Sequence, residues 1–262
     1  AFSEVTVVRT EYLEKARNTT TKDRHKAIAD ELLFLGLYDE AAPELEATGL
    51  ENIPGGEFNL AAIYARGDIA HRGVGFLEPL WRSVPADLQI EAMPEQSVRL
   101  LYPTPFSTSI ENAAAARSVD PRFLLAVMRQ ESRYRPDVKS NAAARGLMQF
   151  IPQTSEQIAR ELGLIRFRQD DLYDPATAVL FGSQYVANLL RLFPNQPDAA
   201  ASAYNGGEDN TMRWKKRSGS ELPERYVPEI AFAQTKDYVF NVMAAYRVYS
   251  AFYGQDLKPL PW

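Results

Sequence analysis

Glu131 is the residue of this chain best placed to do chemistry, because it falls on the apolar face of a well-marked predicted helix. The helix opens with Asp120, a favourable N-cap, and Pro121, a favourable first helical residue. Leu124 and Val127 follow at helical spacing, and Glu131 continues that apolar stripe. A carboxyl group held against an apolar face is costly to ionise, so its pKa should rise towards neutrality. Such a group can serve as the general acid that breaks an acid-labile bond.

The opposing interpretation is that Glu131 ends a helix with its charged tip in water, which is the commoner situation for glutamates. Position alone favours that interpretation. The neighbouring motifs point the other way, since Ser132 follows directly and a GLMQ run occupies Gly146 to Gln149.

Composition excludes several classes of protein. The 262 residues are 45% hydrophobic, enough for a core in one large domain or two modest ones. A formal net charge of -5 argues against a nucleic-acid binder, and no apolar run is long enough to span a membrane. Because cysteine is absent and His25 and His71 lack ligand-spaced partners, we predict neither a metal nor a cofactor. The sequence starts at Ala1 with neither an initiator Met nor a signal segment, so we expect that any export signal has been removed.

Helical periodicity dominates, so the predicted fold class is mostly α. Residues 1–100 are predicted to form an N-terminal lobe of short helical hairpins, only loosely repeat-like, with a proline-rich connection from Val84 to Pro105. Residues 101–253 form a second, mostly helical lobe, and residues 254–262 a C-terminal tail. The predicted helices are residues 21–36, 38–47, 58–65, 69–81, 121–132, 152–162, 175–192, 199–204 and 238–253.

Four ordered motifs of the second lobe match a known family. They are RQES (Arg129 to Ser132), SNAAARGLMQFI (Ser140 to Ile151), LYDP (Leu172 to Pro175) and AYNGG (Ala203 to Gly207), and a closing motif, IAFAQTKDYV (Ile230 to Val239), matches less closely. With these motifs the lobe resembles the soluble lytic transglycosylases, relatives of goose-type lysozyme that cleave peptidoglycan. The resemblance implies a lysozyme-like catalytic domain and glycan strands of peptidoglycan as its partner.

The resemblance also implies that Glu131 is the single catalytic acid and base. A glycosidic oxygen is a poor leaving group until it is protonated, and nothing in the sequence selects a second carboxylate. In the family, the substrate's N-acetyl group stabilises the cationic carbon, and the C6 hydroxyl of the same sugar closes a 1,6-anhydro ring. The implied reaction is cleavage of the β-1,4 bond between MurNAc and GlcNAc, with 1,6-anhydroMurNAc as product.

Other motif residues are expected to bind the glycan or to support Glu131. Gln149 offers an amide for sugar hydroxyl or acetamido groups, Met148 an adaptable apolar contact, and Gly146 a close approach of the chain to the cleft. The resemblance implies that Tyr204 and Asn205 lie near the acetamido group. The predicted substrate-binding residues are Ser132, Met148, Gln149, Tyr204, Asn205 and Tyr238, with Ser132 and Tyr238 as supports of Glu131.

Several positions depart from the family pattern. Ala143 and Gly206 stand where glycine and alanine are usual, which are mild changes. In the closing motif Gln234 and Lys236 replace the common Glu and Arg, and Pro228 stands where another glutamate is expected. The cleft therefore lacks carboxylates that the family pattern would place there, and we expect an altered subsite preference or a weak activity.

Three alternatives stay open. A lysozyme-type hydrolase would cleave the same bond and leave a reducing end. A catalytically weak glycan-binding protein would keep the fold and lose turnover. In the third, the N-terminal helices bind partner proteins and the lysozyme-like lobe is secondary. For Met148 and Gly206 taken singly, packing is favoured over binding.

Overall fold

The computed structural model describes residues 20–82, 88 and 90–261, which form two compact units divided between Pro103 and Thr104. Helices provide the regular structure of these residues, with a few isolated β-bridges. The predicted mostly-α fold class is confirmed. No helix in the described ranges is long and apolar enough to cross a bilayer.

The first unit consists of helical hairpins. A capping box at Thr20 begins the first helix that the structure describes. The Thr20 side chain accepts from the Asp23 backbone N–H, and the Asp23 carboxylate accepts from the Thr20 backbone N–H. Ala42, Leu60 and Tyr64 form its buried core. The helices are α1 (Thr21–Phe34), α2 (Tyr38–Ala47), α3 (Gly56–Arg66), α4 (Ala70–Arg82) and α5 (Glu95–Leu101), with 3-10 turns at Leu50–Asn52 and Ile90–Ala92.

Helix α5 lies inside the segment predicted to be an irregular connection, so that part of the prediction was wrong. Pro94 occupies its N-cap, where a proline removes no helical hydrogen bond, and the residues after it are free of proline up to Pro103. Val98 and Leu101 are buried, and their burial stabilises the short helix. Residues 83–87 and 89 of the connection lie outside the described ranges.

The second unit holds the motifs. Its helices are α6 (Ser107–Ala115), α7 (Pro121–Ser132), α8 (Pro152–Glu161), α9 (Pro175–Leu192), α10 (Pro197–Gly206), α11 (Glu208–Ser218), α12 (Pro223–Tyr226) and α13 (Ala233–Phe252), with 3-10 turns at Gln169–Tyr173 and Val227–Glu229. Helices α6, α11 and the four-residue α12 were not predicted. The apolar signal of α11 is weak, because its buried residues are only Thr211 and Trp214 among charged neighbours.

Helix α7 is the centre of this unit. Residues 123–128 are all buried, and α7 packs along α13, with Phe123 meeting the Tyr246 ring edge to face at 5.4 Å between centroids. Asp120 caps α7 as the sequence predicts, through a 2.9 Å hydrogen bond from the Arg122 backbone N–H. The same carboxylate accepts from the Tyr246 hydroxyl at 2.9 Å, which fixes α13 beside α7.

The loop between α7 and α8 approaches another backbone closely at Gly146. This glycine has φ +74°, and a Cβ built on it would lie 1.9 Å from the Leu172 carbonyl oxygen. We expected a close approach to the cleft. The structure shows that Gly146 lets the GLMQ loop contact the 3-10 turn that contains the first two residues of the LYDP motif, and its approach to the cleft stays a prediction.

The C-terminal residues fold back on the second unit. The Leu260 N–H donates to the Phe252 carbonyl at 2.9 Å, the Gly254 N–H donates to the Lys258 carbonyl at 2.9 Å, and Leu257 is buried. Residues 254–261 are therefore packed against the end of α13.

We predict that Gly146→Ala lowers the free energy of unfolding far more than Gly163→Ala. Both glycines have positive φ, which costs an alanine about 1–2 kcal/mol, but a Cβ at Gly163 meets nothing within 4 Å. The clash with Leu172 should add at least about 2 kcal/mol at Gly146. Urea denaturation of both variants measures the difference, and equal losses would contradict the packing described for this loop.

Candidate functional site

Glu131 lies in the last turn of α7, where the buried stripe of that helix reaches the site. The residue is partly buried, and the Tyr238 hydroxyl donates a 2.6 Å hydrogen bond to its Oε1. Burial raises the pKa of Glu131 to about 7, and the hydrogen bond from Tyr238 acts in the opposite direction by favouring the carboxylate. Near neutral pH the group therefore exists in both the acid and the base form.

Ser132 supports the helix rather than the Glu131 carboxyl. It is buried, and its hydroxyl donates to the Met128 carbonyl at 3.3 Å. Arg133 then ends the helix in the left-handed conformation, with its N–H bonded to the Arg129 carbonyl. Ser132 thus donates to a backbone carbonyl in the helical turn that carries Glu131.

Tyr238, Tyr204 and Tyr185 follow one another from Glu131, and we call these three side chains the tyrosine row. Tyr238 lies parallel to Tyr204, with 6.4 Å between ring centroids and 9° between planes, and Tyr204 contacts Tyr185 at 5.2 Å. Phe150 packs against both Tyr185 and Tyr204, at 5.8 and 6.0 Å. Ring pairs at these separations attract one another beyond simple burial.

Each hydroxyl of the tyrosine row donates to a fixed acceptor. Tyr238 donates to Glu131, Tyr204 to the Met148 carbonyl at 2.7 Å, and Tyr185 to Glu208 Oε1 at 3.0 Å. Burial raises the pKa of Tyr204 and of Tyr238 well above the ordinary value, so both hydroxyls keep their protons. A carbonyl cannot donate in return, so the direction of the Tyr204 hydrogen bond is set, and that of the Tyr238 hydrogen bond is set whenever Glu131 is ionised.

Met148 and Gln149 build the wall next to the tyrosine row. Met148 is 1% exposed, and its side chain packs against Gly182, where an added Cβ would lie 2.5 Å from the Met148 Cε. Gln149 uses its amide NH₂ within its own loop, donating to the Gly146 carbonyl at 2.8 Å and the Val138 carbonyl at 3.2 Å. The side-chain carbonyl of Gln149 is the polar group left to meet a ligand.

Asn205 is exposed, and a hydrogen bond from Thr235 orients its side chain. The Thr235 hydroxyl donates to Asn205 Oδ1 at 2.8 Å, which leaves the amide NH₂ as the outward group. The adjacent Gly206 has no room for a side chain, since a Cβ would lie 2.9 Å from Thr235 Cγ2 and 3.0 Å from the Trp214 ring. These contacts explain the glycine at a position where alanine is usual.

The altered residues of the closing motif contact one another or solvent. The Lys236 ammonium donates to the Pro228 carbonyl at 2.8 Å, and Gln234 is exposed. Glu229 pairs with Arg217, whose Nε donates at 2.8 Å. None of these contacts involves Glu131, whose described hydrogen-bond partner is Tyr238.

Three residues of the site were not singled out from the sequence. Tyr185 looks like an ordinary core aromatic of α9, Glu208 lies outside the motifs, and Thr235 lies in the closing motif that matches less closely. The only signal was proximity, because Glu208 follows the AYNGG motif directly and Thr235 lies three residues before Tyr238. Their partners are distant in sequence, which a local pattern does not reveal.

A helical unit with a partly buried glutamate beside a row of aromatic rings agrees with the lysozyme-like domain that the resemblance implies. Residues 108–227 match the family described as Transglycosylase SLT domain. The match assigns an SLT domain to these residues, 120 of the 262.

Relatives and solved structures agree with that assignment. A Haemophilus influenzae protein provisionally named soluble lytic murein transglycosylase is 32% identical over 165 residues, which are 63% of this chain and 28% of that protein. The crystal structure of the 70 kDa soluble lytic transglycosylase SLT70 of Escherichia coli matches with a TM-score of 0.70 and 23% identity, over 87% of this chain and 35% of that one.

An inactive glutamate-to-glutamine mutant of the lytic transglycosylase Slt of Pseudomonas aeruginosa matches with a TM-score of 0.66 and 20% identity, over 92% of this chain and 37% of that one. At such identities the structural matches establish the fold. The chain spans between 28% and 37% of the length of these three proteins.

We predict that Glu131→Gln stabilises the protein in a pH-dependent way. A folded-state pKa of about 7, against the ordinary value of 4.5, means that parent stability is complete below 4.5 and falls as pH rises towards 7. The variant escapes this loss, so its free energy of unfolding should exceed the parent's by roughly 3 kcal/mol at pH 8. At pH 4 the gain should vanish.

Urea denaturation at the two pH values measures this difference. Glu156→Gln, at an exposed position of α8, is the matched control and should show no pH-dependent gain. A gain from Glu131→Gln that is the same at both pH values would contradict the raised pKa.

Proposed function

We propose that this chain is a peptidoglycan lytic transglycosylase that cleaves the β-1,4 bond between MurNAc and GlcNAc and forms 1,6-anhydroMurNAc. The observation that carries the proposal is Glu131, a carboxyl with a pKa of about 7 bonded to Tyr238 within an SLT domain. The name of the Haemophilus relative supports murein, which is peptidoglycan, as the substrate.

In the first step, the protonated Glu131 gives its proton to the glycosidic oxygen. The bond between that oxygen and C1 of MurNAc breaks, GlcNAc leaves as an alcohol, and positive charge develops at C1. The N-acetyl group of the same sugar stabilises this charge, as the family resemblance implies. Tyr238 stabilises the carboxylate that Glu131 becomes, through its 2.6 Å hydrogen bond.

In the second step, the Glu131 carboxylate removes the proton of the C6 hydroxyl of MurNAc. The C6 oxygen bonds to C1 and closes the 1,6-anhydro ring, so the net reaction consumes no water. Glu131 ends protonated, ready for another cycle. A pKa near 7 suits both steps, because neither form of the group is strongly favoured.

The surrounding residues have distinct proposed roles. Asn205 donates its amide NH₂ to the acetamido carbonyl, and Gln149 accepts from a sugar N–H or O–H through its side-chain carbonyl. Tyr204 supplies part of an aromatic wall for the sugar. Met148 and Ser132 act through the backbone, since Met148 holds Tyr204 by its carbonyl and Ser132 bonds Met128.

The same substrate sets the proposed location and partners. Peptidoglycan lies outside the cytoplasmic membrane, so an enzyme that acts on it is exported, and in a two-membrane envelope it works in the periplasm. The helices of the first unit are the proposed surface for any protein partner, which a pull-down with the full chain would identify.

We predict that purified sacculi digested with this protein release products one water lighter than reducing-end muropeptides. Glu131→Gln should lower the rate at least about a thousandfold, since no second carboxylate is assigned to replace it. Mass spectra of the digests measure both effects, and Glu156→Gln should behave like the parent. Reducing-end products would identify a hydrolase, and binding of sacculi without cleavage would identify a glycan-binding protein.

We predict that kcat/KM falls as pH rises through about 7, because the first step requires protonated Glu131. Tyr238→Phe removes the hydrogen bond that lowers the Glu131 pKa, so the fall should move upward by about one pH unit. The maximum rate should drop about tenfold, because the carboxylate formed in the first step loses its donor.

Tyr246→Phe is the matched control for this variant. It removes a tyrosine-to-carboxylate hydrogen bond, to Asp120, from the same helix α13 without touching Glu131. Its pH profile should match the parent's in position. A profile unmoved by Tyr238→Phe would refute the role given to that hydroxyl.

A further inference from the structure

Glu208 meets the tyrosine row at the end remote from Glu131. It is the first residue of α11, directly after the AYNGG motif, and its Oε1 accepts the Tyr185 hydroxyl at 3.0 Å. Tyr185 is 8% exposed, so its hydroxyl has little access to water as an alternative partner. The hydrogen bond to Glu208 therefore fixes the rotation of the Tyr185 side chain.

A continuous set of contacts joins Glu208 to Glu131. Tyr185 packs on Tyr204 at 5.2 Å, and Phe150 contacts both rings. Tyr204 lies parallel to Tyr238, whose hydroxyl bonds Glu131. A shift of the Tyr185 ring displaces Tyr204 because interiors are close-packed, and Tyr204 bounds the space in which Tyr238 lies.

We propose that Glu208 is a positioning residue that acts through Tyr185 to hold the tyrosine row in the arrangement where Tyr238 bonds Glu131. The effect on catalysis rests on the proposed transglycosylase function, whereas the effect on the Glu131 carboxyl does not. The row is then held at both ends by carboxylates, one catalytic and one structural, with rings between them.

The sign of the Glu131 titration distinguishes positioning from simple charge. Removing a negative charge near Glu131 eases its ionisation and lowers its pKa. Loosening the Tyr238 hydrogen bond raises the pKa, because that bond favours the carboxylate. Loss of positioning and loss of charge therefore move the titration in opposite directions.

The experiment compares five variants of the full chain: Glu208→Ala, Glu208→Gln, Tyr185→Phe, Asp209→Ala and the double variant Glu208→Ala/Tyr185→Phe. Asp209→Ala is the matched control, because Asp209 is exposed and its substitution removes the same charge from the same turn of α11. The readouts are the Glu131 carboxyl titration by 13C NMR, assigned through its loss in Glu131→Gln, and kcat and KM on sacculi.

We expect Glu208→Ala to raise the Glu131 titration midpoint by about half a pH unit and to lower kcat about fivefold, with KM nearly unchanged. Glu208→Gln, whose amide oxygen still accepts from Tyr185, should recover most of the loss. Tyr185→Phe should act like Glu208→Ala, and the double variant should be no worse than either single one. Asp209→Ala should leave kcat unchanged and move the midpoint slightly down or not at all.

A titration in Glu208→Ala that superimposes on the parent's, or moves downward, would overturn the proposal. Tyr185→Phe is nearly isosteric and decides the same question if Glu208→Ala folds poorly. Should the parent fail to cleave sacculi, the proposed function fails while the NMR titration still tests the role of Glu208.

Discussion

The hydrogen bond between Tyr238 and Glu131 is the interaction on which the proposed chemistry of this protein depends. Two opposing effects act on the same carboxyl: burial favours the neutral acid, and the phenol favours the anion. A more deeply buried glutamate without a donor would keep its proton and fail as a base. A solvated glutamate would be ionised at neutral pH and fail as an acid. The balance near pH 7 permits both roles in one residue.

This balance requires two helices to be fixed relative to each other. Glu131 is on α7 and Tyr238 is on α13, and the two residues are 107 positions apart in the sequence. Asp120 meets this requirement at the other end of α7, because it both caps the helix and accepts from Tyr246 of α13. The cap that begins α7 therefore also aligns α13, the helix that supplies the hydroxyl donor.

Much of this could be predicted from local sequence. The cap at Asp120, the buried stripe of α7 and the position of Glu131 at its end all follow from helical periodicity, and the family motifs located the second unit. What sequence did not reveal depends on contacts between distant segments. The contact of Gly146 with Leu172 and the bond of Tyr185 to Glu208 are examples, since neither residue type indicates its partner. Helix α5 was missed because Pro94 was taken as a break, when it is an N-cap.

The unusual residues around the closing motif form contacts of their own, and this bears on whether they weaken the site. Only glycine fits at position 206, because Thr235 and Trp214 occupy the space that a side chain would need. Thr235 in turn orients Asn205. Lys236 bonds the Pro228 carbonyl, a backbone group that does not depend on the side chain of that residue.

These substitutions therefore leave intact the contacts that govern Glu131, which come from burial on α7 and from Tyr238. The groups that set the pKa of Glu131 are therefore separate from the altered positions of the closing motif. Gln234, which is exposed and lacks the charge usual in the family, is one of those positions. Under the proposed function, changes at these positions alter how the glycan is held, while the acid that cleaves it and its Tyr238 donor stay the same.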